Sequence, residues 1–75
     1  MTMNINALKV TNARDTSRAM IVEPWGQAFE IESCSSLDLV ITATSAIHFE
    51  IADLEKYLTV YVETPVSTFV VKKVP

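Results

Sequence analysis

His48 and Glu50 stand two residues apart in Ile47-His48-Phe49-Glu50-Ile51. On a strand, alternate side chains share a face, so the imidazole and the carboxylate point one way and the three apolar residues the other. A carboxylate beside an imidazole raises its pKa or joins it in holding a divalent cation. A zinc-type site asks for three or four ligands, whereas the chain has one histidine and one cysteine. The pair reads as a solvated strand pair that offers at most a ligand or cation contact. Cys34, in Ser33-Cys34-Ser35-Ser36, is the other reactive group. Neighbouring acids raise a thiol pKa and blunt it as a nucleophile, and no local signature joins Cys34 to His48. Gly-x-Ser-x-Gly is missing, and a single glycine leaves no oxyanion nest or phosphate loop. The expectation is a non-enzyme with no catalytic residue, no cofactor and no metal.

The aromatic residues suggest contact rather than reaction. Tyr57 and Tyr61 alternate against Leu58, Val60 and Val62, so they lie on the face turned away from the core, with Val40 on the outer side of its own strand. Exposed tyrosines suit an interface; local packing in a strongly curled barrel is the alternative. Phe69-Val70-Val71 is apolar on both faces of the last strand. Tyr57, Tyr61, Phe69 and Val70 are therefore the candidate interface residues. Glu23-Pro24-Trp25-Gly26 holds the chain's one tryptophan and its one glycine. Proline fixes its own φ, glycine permits a positive one, and tryptophan offers a large packing surface. The four residues read as a structural corner with the indole as its plug. A ligand groove near Trp25, with Gln27 as the nearby polar group, is the other use.

Period-2 alternation sets the elements that hold these groups. Arg18–Glu23, Phe29–Glu32, Leu37–Thr42, Ile47–Ile51, Tyr57–Val62 and Thr68–Val74 read as strands, with breaks at 24–27, 33–36, 43–46, 52–56 and 64–67. Met1–Ser17 reads as a first strand or a loose arm. Such close spacing predicts an all-β domain over 1–75, a small antiparallel β-sandwich or barrel of about six to seven short strands. Parallel pairing is expected to be excluded, because no break is long enough for a crossover. Pro65 and Lys72-Lys73 mark the last strand as a sheet edge.

Charge is segregated. Glu23, Glu30, Glu32, Asp38, Glu50, Asp53 and Glu55 occupy a stretch with no Lys or Arg, and the basic residues flank it, for a net charge of −3. An acidic middle argues against nucleic acid as a partner. The apolar runs are too short for a membrane helix, and the N-terminal residues lack signal-peptide character. A lone cysteine rules out an internal disulfide. The expectation is a cytoplasmic protein whose small core gains from oligomerisation.

Ile21-Val22-Glu23-Pro24-Trp25-Gly26, then Phe29-Glu30-Ile31, then Leu37-Asp38-Leu39-Val40 resembles an uncharacterised family of short bacterial all-β proteins with a Leu/Val-Glu-Pro-Trp-Gly corner. The resemblance runs from about Ile21 to Lys73, implies a small all-β fold, and carries over no site residue. This chain departs from it at three turns. Ser33-Cys34-Ser35-Ser36 stands where the family has Pro-Pro-Gly, Asp53-Leu54-Glu55-Lys56 where it has Asp-Gly, and Thr64-Pro65-Val66 where it has Trp-Pro-Gly. Retention of Gly26 alone implies a position that admits no Cβ. The functional expectation is a β module that acts by protein association, as a homo-oligomer; the alternative is a small-molecule or cation-binding protein using the acidic face near His48 or the groove near Trp25.

Overall fold

The computed structural model describes residues 3–74. Among them are seven strands: β1 (Asn4–Asn12), β2 (Arg18–Glu23), β3 (Gln27–Ile31), β4 (Ser35–Ala43), β5 (Phe49–Asp53), β6 (Tyr57–Val62) and β7 (Ser67–Lys73). They form two sheets, β1-β4-β7 and β3-β2-β6-β5, packed as a sandwich. β1, one of the two readings of the N-terminal stretch, pairs with β4 over nine residues. β7 lies at an edge of the three-stranded sheet.

One expectation fails. β2 and β6 run parallel, Ala19 opposite Tyr57 through Glu23 opposite Tyr61. A parallel pair needs a long crossover. Here the chain between the two strands supplies it, leaving through β3, crossing to the other sheet as β4 and returning as β5. Single breaks between successive strands were the wrong length to consider. The other four pairings are antiparallel.

The core follows the alternation. Met20, Val22, Leu39, Ile41 and Val60 are fully buried, joined by Ile31, Leu37, Leu58, Val62 and Val10 from facing strands. Burial of each such side chain contributes about 1.5–3 kcal/mol. The four-stranded sheet is one strand wider than its partner, and the inner side of β5 at its edge has no full cover. Ile51, expected on a buried face with Ile47 and Phe49, is consequently 46% exposed, and β5 begins at Phe49.

The turns gather at two ends. One end holds the 13–17, 32–34 and 54–56 turns, the other the 24–26, 44–48 and 63–66 turns. Asn12, 4% exposed, ties the first end together. Its Nδ2 donates to the carbonyls of Thr16 (2.9 Å), Ile31 (3.0 Å) and Glu32 (3.3 Å), and its Oδ1 accepts from the Arg14 N–H (3.0 Å). The Ser33 hydroxyl donates to the Arg14 carbonyl at 2.9 Å. The Arg18 guanidinium donates to the Asp53 carboxylate and to the carbonyls of Leu54 and Tyr57. At the second end Thr64, 5% exposed, accepts from the His48 N–H at 2.6 Å and donates to the Ala46 carbonyl at 3.2 Å.

Candidate functional site

The outer face of the four-stranded sheet carries both tyrosines. Register places Glu23, Tyr61 and Glu50 side by side across β2, β6 and β5. The next row along is Ile21, Thr59 and Ala52, extended onto β3 by Ala28. Tyr57 stands in the row beyond, beside Ala19. Tyr57 is 37% and Tyr61 42% exposed, yet Thr59 between them is only 3% exposed. Two aromatic ridges therefore flank a closed trough of small and apolar side chains. Carboxylates border it at Glu23 and Glu50, and at Glu30 beside Ala19.

A second surface runs between the edge strands β3 and β7. Phe69 on β7 packs against Trp25, ring centroids 4.7 Å apart and planes tilted by 50°, and meets Phe29 edge-on at 6.1 Å. Trp25, Gln27, Phe29, Thr68 and Val71 line an open groove of about 410 Å³ here. Val70 turns outward on β7 and is 55% exposed.

The corner residues do form the β2–β3 turn, with the Glu23–Pro24 peptide cis and the Gly26 N–H bonded to the Val22 carbonyl at 2.9 Å. Two details of that expectation need correction. Trp25 is 37% exposed and packs on Phe69 from the other sheet, so the indole is not buried within the bend. Gly26 has φ +69°, and a Cβ built there would meet only Glu23 Oε1, at 3.7 Å. Its restriction is conformational, not steric.

The reactive candidates are not assembled. His48 and Glu50 are both exposed, and the structural bonds at His48 are made by its backbone, to Thr64 and from the Glu63 N–H at 2.9 Å. Among the described residues no group of three or more His, Cys, Asp or Glu side chains is placed to hold a metal. Cys34 is exposed and free, its sulfur 3.7 Å from the Arg14 carbonyl. Hydrogen bonding from Arg18 holds the Asp53 carboxyl below the usual aspartate value, against a smaller opposing effect of desolvation.

Sequence reading missed Asn12, Thr64 and Arg18 as organising residues. Their partners are mostly main-chain carbonyls and amides, which leave no signature in the sequence. It also missed the row order of the outer faces, which needs strand register. No family model, curated protein or solved structure matches the chain.

Proposed function

We propose that this chain is a non-enzymatic β module that works by protein association, as a homo-oligomer. The observation that carries the reading is the tyrosine face: Tyr57 and Tyr61 exposed on either side of a buried Thr59, with carboxylates at its border. Recognition surfaces have this anatomy, an aromatic and apolar centre within a polar rim. Burying the face also enlarges the small apolar core available to a chain of this size. One exposed, unpaired cysteine suits a reducing, cytoplasmic setting, and the acidic rim suits neither phosphate backbones nor anionic lipid. Light scattering after size exclusion tests the reading. A mass that rises above one protomer over the micromolar range is expected; a strict monomer throughout would remove it.

The groove supports a second reading, binding of a small apolar or aromatic molecule against Trp25, Phe29 and Phe69. Its volume of about 410 Å³ lies within the roughly 300–1,000 Å³ of small-molecule sites. Trp25 is the one tryptophan, so its fluorescence reports the groove directly. A metabolite panel that leaves both the emission and the thermal midpoint unmoved would sink this reading. Among the described residues no group of three or more His, Cys, Asp or Glu side chains supports the cation form at His48 and Glu50.

A further inference from the structure

The two outer faces of the sandwich match each other row by row, and we propose that the homo-oligomer forms by stacking the three-stranded face of one copy on the tyrosine face of the next. The proposal rests on the association reading above and names its partner and geometry.

On the three-stranded sheet, register aligns Lys9, Asp38 and Lys72 across β1, β4 and β7. Alternation turns all three outward, since Leu39 and Leu37 beside Asp38 are buried. On the four-stranded sheet the corresponding row is Glu23, Tyr61 and Glu50. Neighbouring strands lie about 4.8 Å apart, so in each row the two outer charges are separated by roughly 10 Å. Lysines thus meet glutamates at matched spacing, and the Tyr61 hydroxyl donates to the Asp38 carboxylate between them. One row further, about 7 Å along the strands, the match is carried by the two outer positions, because Thr59 between them is buried. Ala7 and Val70 then oppose Ile21 and Ala52, with Val40 above the buried Thr59.

The charges are available for this. The ion pairs among the described residues are Arg18–Asp53 and Lys73–Glu32; Lys9, Lys72, Glu23 and Glu50 take part in neither. An isologous contact would do worse. Tyrosine face on tyrosine face sets glutamates against glutamates, and the opposite face on itself sets lysines against lysines, arrangements that disfavour association. Because the two complementary faces lie on opposite sides of one sandwich, the contact is heterologous and repeats into a ring or an open stack.

Charge reversal on each face separates the outcomes. Lys9→Glu with Lys72→Glu reverses one face, and Glu23→Lys with Glu50→Lys reverses the other. Wild type is expected to self-associate, each double variant alone to run as a monomer, and their equimolar mixture to recover wild-type mass in light scattering. Circular dichroism checks folding, and the single variants Lys72→Glu and Glu50→Lys replace any double variant that unfolds. Either variant alone assembling like wild type, or a mixture that stays monomeric, overturns the stacking geometry while leaving association intact. A monomeric wild type at every concentration overturns association itself.

Discussion

The two ends of the sandwich are held by different means. At the Asn12 end, side chains from β1, the 13–17 turn, β2 and the 32–34 turn bond to main-chain groups of other segments. At the Trp25 end Thr64 is the main side-chain latch, and two turns carry a residue at positive φ, Gly26 at +69° and Val66 at +52°, against one, Cys34 at +56°, at the Asn12 end. A side-chain network anchored on a buried residue fixes a loop through partners it must not lose. A left-handed turn fixes it through one residue's allowed dihedrals, so a single exchange can tighten or loosen it.

The largest expected effect lies at the first end. Asn12→Ala strands the carbonyls of Ile31, Glu32 and Thr16 and the Arg14 N–H, in part away from water. Leaving such groups unpaired costs about 1–3 kcal/mol each where water cannot replace the partner. Since some of these groups border solvent, we expect a total loss of about 3 kcal/mol, read as a lower urea midpoint. A midpoint equal to that of wild type would show that the Asn12 network is ornamental and collapse the contrast between the ends.

Smaller and opposite effects are expected from two exchanges at the second end. Gly26→Ala keeps the space, since nothing crowds the new methyl, but places an L side chain at positive φ, a loss of about 1 kcal/mol. Val66→Gly does the reverse. A β-branched residue at positive φ is an outlier, and Val66 is 86% exposed, so little packing is lost with the side chain. We expect a gain of about 1 kcal/mol in the same denaturation experiment. If both variants destabilised, local φ preference would not be what shapes this end.

These two positions also show what a sequence can reveal. The Pro-Trp-Gly corner and the strands Arg18–Glu23 and Tyr57–Val62 were legible with their observed limits, because alternation and turn chemistry are local signals. At Cys34 and Val66 the backbone takes positive φ, +56° and +52°, a conformation that neither residue type signals. Non-local features were hidden. The parallel β2–β6 pair joins segments separated by three other strands. The packing of Trp25 depends on Phe69 arriving from the other sheet. Tyr57 and Tyr61 could be assigned to an outer face from alternation, but the glutamates flanking Tyr61 come from β2 and β5 and become neighbours only through register.

The smallest effect is a pH dependence at the Asn12 end. Arg18 holds the Asp53 carboxyl below its usual pKa, so the folded state favours the ionised form more than the unfolded chain does. The contribution is fully present above the unfolded value, about pH 4, and is lost as pH falls through the lower folded value. Asp53 is 66% exposed, so solvent and salt screen the pair and keep the effect small. Asp53→Asn, which leaves a neutral acceptor facing Arg18, removes the titration. Wild type is expected to exceed this variant in thermal midpoint at pH 7, and the difference is expected to shrink as the pH is taken below 4. A difference that stayed constant down to the acid limit would mean that Asp53 acts as a hydrogen-bond acceptor whose charge is immaterial. The first end would then be a purely hydrogen-bonded lock, differing from the second in the number of its bonds and not in their electrostatics.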